Sequence, residues 1–419
     1  MMRRAGWGAA LAVAAAITTA PVLAQETTLR FYTIFDAGQN ERWAPIIEAY
    51  QEANPGVSIM MESISGSGAA VYPDVLRTSM ASGDPPDVFF MWGGELAGPF
   101  IQGQQALPLD TYYEQYAWRD RFASWMVERL ERDGKMYGVP FRARGMGFWY
   151  RTDLFEEYDL KVPTSYDELA GVCATLKENG IYCATFGGRF GWHTMRLLDY
   201  FIETECGPEI HDGLNTLRAS WDQPCVVAAY ATLRQWVEDE WLVPDFLNVT
   251  PPDARLPMYL GDAAMIIETN GFEVTLDIDE QDIALYDFFL PPTGHDPQRY
   301  PAFPEQWMIA ADSGNPDAAA AFVDWITRAE TQKQYPSAFA GTATSGVTPD
   351  CEVEPRGCRW SEILNSDRQT YVLTDQAFPK ELVDAFFEVQ DAIVAGRTSP
   401  EDGAKRMEER AQQWKARKG

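Results

Sequence analysis

Five consecutive apolar residues, Val88 to Trp92, constrain the fold of this chain more than any other feature. An unbroken apolar run of this length is typical of a strand that is buried on both faces. Before it come a predicted strand at Thr27 to Phe35, a helix that Asn40 can cap, the strand VSIMMESI, and a helix near Tyr72 to Ser82. Strands that alternate with helices in this way predict an α/β unit built on a parallel sheet.

A second α/β pattern begins after Tyr150. Ser165 and Glu168 form a capping box at the start of a helix, and the segments DAAMIIETNGF, IALYDFFLPP and PAFPEQWMIA are predicted strands. Helices are predicted near 194–203, 226–240, 316–329, 379–395 and from 400 to the end. Because no flexible linker separates the two patterns, we expect two α/β lobes between which the chain crosses several times.

Charge and length narrow the function classes. The chain has 419 residues, 46% hydrophobic content and a net charge of -28, which allow more than one domain with a large core. Nucleic acid and anionic membrane surfaces bind basic faces, so the acidic balance argues against both as partners.

The N-terminus carries an export signal. Arg3 and Arg4 precede a small apolar run, and Val22 and Ala24 occupy the small positions that signal peptidase reads. The alternative is a membrane anchor, but the Ala-rich run is shorter than the ~20 residues that a span needs. We expect a signal peptide at 1–24, a mature protein that begins at Gln25, and a periplasmic location.

Six cysteines fit an oxidising compartment. Since neighbours in sequence close the smallest loops, we expect three local disulfides: Cys173 with Cys183, Cys206 with Cys225, and Cys351 with Cys358. The chain has three His and no C-x-x-C spacing, so no zinc site is expected.

Glycines and aromatic residues follow the predicted strands where ligands bind in open parallel sheets. The first strand is followed by Asp36, and the buried strand ends at Trp92, two glycines and Glu95. A sugar ring stacks on an aromatic plate, and its hydroxyl groups donate to a carboxylate. The alternative is that Trp92 packs in the core and that Glu95 starts a helix.

Three other segments have a similar composition, and for the first of them the alternative is a solvent-exposed loop with buried aromatic side chains. Their candidate ligand contacts are Arg189, Trp192 and His193 in FGGRFGWHTM, Asn270 and Phe272 in ETNGF, and Gln306 and Trp307 in PEQWM.

Arg142 and Arg144 stand two residues apart at the front of an apolar run. Side chains at this spacing share a face of a strand. The pair either forms ion pairs on an acidic surface or grips a carboxylate, sulfate, phosphate or adjacent hydroxyls in a cleft.

Signatures of catalysis are absent from the sequence: G-x-S-x-G, H-E-x-x-H, a P-loop and a complete G-x-G-x-x-G do not occur. Carboxylates are plentiful, so a secreted glycosidase-like enzyme remains the alternative function. No catalytic residue, cofactor or metal is predicted.

Three segments, PPDVFFMWGGELAGPFIQGQQALPLD, KMYGVPFRARGMGFWYRTDLFEEYDLKVPTSYDEL and MYLGDAAMIIETNGF, together resemble the maltose-binding-like, family 1 solute-binding proteins of ABC sugar transporters. The resemblance implies a binding protein, and no enzyme, whose two lobes close on a sugar or acidic sugar and present it to membrane permease subunits. We expect a monomer.

The resemblance also implies lobe boundaries. The N-terminal lobe would comprise 25–141 and 300–327, and the C-terminal lobe 142–299 and 328–419. Crossings are expected at Phe141 to Gly145, near Arg299 to Gln306 and near Phe322 to Glu330, so that Arg142 and Arg144 lie where the hinge passes the cleft.

Overall fold

A computed structural model describes residues 26–64, 71–339, 341–342, 344–366 and 369–418. The predicted signal peptide and its cleavage point lie outside these residues. The strands are β1 Thr27–Thr33, β2 Val57–Ser63, β3 Val88–Trp92, β4 Glu131–Arg132, β5 Lys135–Met136, β6 Gly138–Arg151, β7 Tyr182–Ala184, β8 Ala263–Thr269, β9 Tyr286–Phe289, β10 Tyr300–Ile309 and β11 Thr370–Tyr371.

Helices flank these strands in both halves of the chain. They are α1 Ala37–Ala53, α2 Tyr72–Ala81, α3 Gly98–Gln102, α4 Asp110–Tyr116, α5 Trp118–Arg121, α6 Ser124–Leu130, α7 Thr152–Glu157, α8 Tyr166–Glu178, α9 Trp192–Asn215, α10 Pro224–Glu238, α11 Leu256–Leu260, α12 Phe272–Ile278, α13 Pro316–Ile326, α14 Ala329–Gln334, α15 Pro355–Leu364, α16 Thr374–Ala377, α17 Lys380–Val394 and α18 Pro400–Lys418. Among the described residues, every helix is too short or too polar to form a membrane span.

The first lobe is built on the parallel strands β2, β1 and β3. All five residues of β3 are buried, as the apolar run predicts. β10 pairs antiparallel with β3, and β6 pairs antiparallel with β10. The two α/β lobes predicted from the sequence are therefore present, with a mostly parallel sheet flanked by helices.

β6 belongs to both lobes. Its first part, Gly138 to Gly145, pairs with β10, and its second part, Met146 to Arg151, pairs with β8 and β9. The predicted first crossing at Phe141 to Gly145 thus lies in the middle of one continuous strand. β10 is the second long strand at this junction, and it reaches from β11 to β3.

Packing against the first lobe bears on the position of the third crossing. Phe322 contacts Phe31 of β1, and the ring of Phe339 lies 5.2 Å from Trp43 of α1, so both still pack with the first lobe. Thr342 bridges to Arg142 in the middle of β6. We therefore propose to move this crossing from Phe322 to Glu330 to residues 341–342, and the lobe boundary at 327/328 with it.

The predicted N-cap is confirmed for one helix and wrong for another. Ser165 caps α8 and accepts from the backbone of Glu168 at 3.2 Å, as predicted. α1 is capped by Asp36, not by Asn40, because Asp36 and Gln39 complete a capping box one turn earlier. The three predicted disulfides are all confirmed.

Candidate functional site

The carboxyl ends of parallel strands from both lobes face each other at the junction. β10 lies between β3 and β6, and β3 ends level with the middle of β6. Trp92 and Arg142 both lie opposite Glu305 of β10. β8 runs antiparallel to β6 and ends at Thr269, opposite Met146, and β7 runs parallel to β8. The residues after these strands therefore wall a cleft between the lobes, where open sheets bind ligands.

One row of side chains crosses the floor of this cleft. Residues directly opposite each other in antiparallel strands share a face, so Trp92, Glu305 and Arg142 lie side by side on β3, β10 and β6. Arg142 donates through Nε to Oε2 of Glu305 at 2.7 Å, and Arg144 contacts the same oxygen through Nε at 3.1 Å. Both predicted arginines thus meet in the cleft region, and they do so on a buried carboxylate.

Burial and a neighbouring positive charge lower the pKa of Arg142. Arg142 is 4% exposed. Burial and then the positive charge of Arg144 lower the pKa of Arg142 to about 9. The rings of Phe35 and Phe141 lie 5.5 and 4.6 Å from its guanidinium carbon and offset part of this cost.

The arginines line a small recess between the lobes, which we call the arginine recess. Gln39, Arg42 and Trp43 contribute one wall from α1, and Gly271 and Val274 contribute the facing wall from the second lobe. A substituent at Gly271 would lie 2.1 Å from Nη1 of Arg144, so glycine is what lets this guanidinium approach the second lobe.

A groove of about 600 Å³ adjoins the arginine recess and shares Arg42, Val274 and Ser337 with it. Asn270 lies in this groove, donates to the carbonyl of Ala143 at 3.1 Å, and keeps a buried Oδ1 with no hydrogen-bond partner among the described residues.

Sequence reasoning missed α16, which lies between α9 and the 3₁₀ helix that follows β3 and carries two polar side chains. It packs against the 3₁₀ helix Gly94–Ala97 of the first lobe so closely that a substituent at Gly94 would lie 2.2 Å from the carbonyl oxygen of Gln376. Within the described residues, Oδ1 of Asp375 and Oε1 of Gln376 are buried without a hydrogen-bond partner. Burial, together with the charge of Asp199, raises the pKa of Asp375 to about 7.

The first turns of α9 face the same region. The guanidinium of Arg196 lies 4.6 Å from the ring of Trp192, whose buried Nε1 has no partner in the described part of the chain. Arg196 donates to Glu268 at 2.6 Å. Arg196 also acts on Asp375 electrostatically, so α9 and α16 form one polar wall.

His193 does not share this wall. It is fully buried, and its Nδ1 accepts from the backbone of Gly187 at 3.0 Å. Burial and the charge of Arg196 lower its pKa to about 3. The side chain of His193 is therefore packed in the core, and its contact with a ligand stays a prediction.

Trp307 and Phe272 are also packed in the core, and their contact with a ligand stays a prediction. Trp307 is 0% exposed and stacks on Phe141 in the core, and Phe272 is 2% exposed and packs against Trp149. Gln306 donates to the carbonyl of Trp92 at 3.0 Å and supports the end of β3.

For the other candidates, ligand contact stays a prediction. Trp92 is 8% exposed and packs edge-on against Tyr72 and Phe90. Glu95 pairs with Arg132, Asp36 caps α1, and Arg189 is exposed. Among the described residues no group of three or more His, Cys, Asp or Glu side chains is arranged to hold a metal ion.

Comparison with known proteins gives consistent matches. Residues 37–333 match the model of the bacterial extracellular solute-binding protein family. An uncharacterized ABC transporter extracellular-binding protein of Pyrococcus horikoshii is 22% identical over 335 residues, which cover 76% of this chain and 72% of that protein.

Solved structures share the fold over nearly their whole length. A chain from work on xylan utilization by the thermophilic bacterium Caldanaerobius polysaccharolyticus has a TM-score of 0.83 at 20% identity, covering 91% of this chain and 99% of its own. A chitin oligosaccharide binding protein has a TM-score of 0.82 at 18% identity, covering 93% and 98%.

Proposed function

The chain belongs to the bacterial extracellular solute-binding protein family, and on this premise we propose that it captures a sugar in the cleft between its lobes and delivers it to the permease of an ABC transporter. The chitin oligosaccharide binding protein and the multiple sugar-binding protein of Streptococcus mutans are relatives whose names state sugar binding. For this chain, the proposal that the ligand is a sugar is argued from the chain's own side chains.

The observation that carries the proposal is the set of buried polar atoms that lack partners around the cleft. Trp192 offers a donor, while Asp375, Gln376 and Asn270 offer acceptors, within the part of the chain that is described. Buried polar groups normally have partners, and we assign these four atoms to the cleft, where a ligand would supply the partners. Sugar hydroxyls both donate and accept, which matches this mixture.

Closure is the second part of the proposal. The lobes meet where α16 packs against the 3₁₀ helix Gly94–Ala97, and where Arg42 of α1 pairs with Asp277 of α12. A ligand that contacts both lobes stabilises the closed arrangement in proportion to its preference for that state. Glu95 and Trp92 lie at the first contact, and we include them in the site together with Asp36, Arg142, Arg144 and Arg189.

The family and its structural neighbours are binding components of ABC transporters, not enzymes. Such components work outside the cytoplasm. We propose that this chain does so in the periplasm, after cleavage behind Ala24, as a monomer.

A thermal-shift screen over neutral and acidic mono- and oligosaccharides tests the function. We expect at least one sugar to raise the melting temperature, because a ligand that binds only the native state stabilises it by mass action. The sugar should be recovered unchanged after long incubation. Turnover at about 1 per second or more, as enzymes commonly show, would contradict the proposal, and so would the absence of any sugar that binds.

A further inference from the structure

The arginine recess has more positive than negative charge. Arg142 and Arg144 share a single carboxylate, Glu305. The third arginine of the recess, Arg42, is already paired with Asp277 across the lobes. One guanidinium charge is therefore left without a counter-charge in direct contact, among the residues that the structure describes, although the carboxylate of Asp36 acts on Arg142 without contacting it.

The geometry leaves the outer ends of both guanidinium groups unused. Arg142 and Arg144 each contact Glu305 through Nε, and within the described chain no hydrogen bond involves their Nη atoms. Both residues are more than nine-tenths buried, at 4% and 8% exposure. Buried charges are costly unless they are paired, so this arrangement is incomplete without a further acceptor.

The recess is sized for one small group. Its volume is about 20 Å³, which compares with the ~10–15 Å³ that a single water requires. The adjoining groove of about 600 Å³ lies in the range of small-molecule pockets. The recess therefore fits a substituent of a ligand, while the body of the ligand lies outside it.

We propose that the arginine recess binds the carboxylate of an acidic sugar, such as a uronic acid. A carboxylate is planar and accepts paired, charge-assisted hydrogen bonds from guanidinium groups. A hydroxyl accepts only weaker hydrogen bonds that carry no charge. This inference rests on the proposed function and names its substrate class.

Matched ligands on the unaltered protein provide the first test. Titration calorimetry compares D-galacturonate with D-galactose, D-glucuronate with D-glucose, and digalacturonate with its methyl ester. We expect at least one acid to bind about 10-fold or more tightly than its neutral partner, as a charge-assisted hydrogen bond implies.

The outcomes separate the two proposals. If neutral sugars bind as well as or better than the acids, the sugar-binding function stands, and the inference about the arginine recess is wrong. The triad of Arg142, Arg144 and Glu305 is then structural only. If no acid binds but the thermal-shift screen finds a neutral sugar that does, the inference is wrong and the proposed function stands. If the whole screen finds no sugar that binds, the proposed function fails together with the inference.

Arg144→Gln provides the second test, with Arg121→Gln as the matched control. Arg121 pairs with buried Asp324 at 2.8 Å in the first lobe, away from the recess. We expect Arg144→Gln to weaken binding of the acid about 10- to 150-fold and to leave binding of the neutral partner or ester nearly unchanged. Equal losses for acid and neutral ligand, or a similar loss in Arg121→Gln, would overturn the assignment.

Discussion

Arg142 and Glu305 lie directly opposite each other on β6 and β10 and are joined by a hydrogen bond of 2.7 Å between Nε and Oε2. These are the two strands that meet where the chain passes from one lobe to the other. The pair therefore links the stability of the junction to the charge in the cleft. A substitution of either side chain should change both the stability and the charge.

Glu305→Gln tests this coupling. The substitution leaves two buried guanidinium groups without their carboxylate, and loss of one partner from a buried pair costs about 3–5 kcal/mol of unfolding free energy. Urea denaturation measures the loss. The control is Glu273→Gln, because Glu273 is more accessible in its pair with Arg356 and should cost about 1 kcal/mol or less. Equal losses in the two variants would contradict the role given to Glu305.

Trp192→Phe tests the donor at the start of α9. Phenylalanine keeps one aromatic ring and loses the five-membered ring of the indole with its unpartnered N–H, so we expect a loss of about 1–2 kcal/mol of unfolding free energy from the reduced packing. Affinity for the sugar should fall about 5- to 10-fold with the loss of one hydrogen bond.

Trp221→Phe is the matched control for Trp192→Phe. Its buried Nε1 likewise lacks a partner among the described residues, but the ring packs against Phe386 in the core of the second lobe. Calorimetric titration should show unchanged affinity. If both variants bind as the parent does, Nε1 of Trp192 does not contact the ligand.

Asp375→Asn tests the pH dependence of stability. Its pKa of about 7 lies above the ordinary 3.9 of an unfolded chain, so the native state holds a proton between these values that the unfolded state has lost. The contribution of Asp375 to the unfolding free energy therefore falls as pH rises from about 4 to about 7. The unfolding free energy of Asp375→Asn should decline less steeply with pH than that of the parent, and it should exceed that of the parent at pH 8.

Denaturation at a series of pH values measures this decline. Asp312→Asn, at an exposed position after β10, serves as the control and should follow the parent curve. A curve for Asp375→Asn that runs parallel to that of the parent would show that burial does not retain the proton on Asp375.

Gly94→Ala tests closure of the lobes. Gly94 has φ of +73°, and a methyl group there would clash with Gln376 of α16. Gly83→Ala is the control, since φ is +77° and no atom lies within 4 Å of the added carbon. We expect both to lose about 1–2 kcal/mol of stability to the left-handed backbone.

Only Gly94→Ala should also lose sugar binding. Small-angle scattering of Gly94→Ala should show no compaction when the sugar is added, whereas Gly83→Ala should compact as the parent does. Compaction and normal affinity in Gly94→Ala would place the closing contact elsewhere.

The fold could be predicted well because its signals are local. The five apolar residues of β3, the cap at Ser165 and the short cysteine loops each depend on neighbours in sequence, and all three agree with the structure. The position that we propose for the third crossing differs from the sequence prediction because a helix pattern does not show which lobe the helix packs against.

Ligand contact at the site stays a prediction, but the grouping of its side chains can be compared with the structure. The spacing of two indicated that Arg142 and Arg144 share a strand face, and the family resemblance implied that they lie at the cleft, but their common partner Glu305 was missed in favour of Gln306. A bulge between these two residues shifts their pairing with β6, and such a shift has no clear sequence signal. Asp375 and Gln376 reach the cleft only through long-range packing of α16, and His193 and Trp307 are buried by side-chain directions that residue type does not reveal.

Titration of the best sugar from the screen into the parent protein and into Asp375→Ala tests the central claim most directly, with Asp312→Ala as the control. The account predicts one saturable site per chain in the parent and in Asp312→Ala. In Asp375→Ala it predicts a loss of about 5-fold or more in affinity, because a hydrogen bond to a buried carboxylate is removed. Absence of saturable sugar binding to the parent, or unchanged affinity in Asp375→Ala, would contradict a sugar site between the lobes at α16.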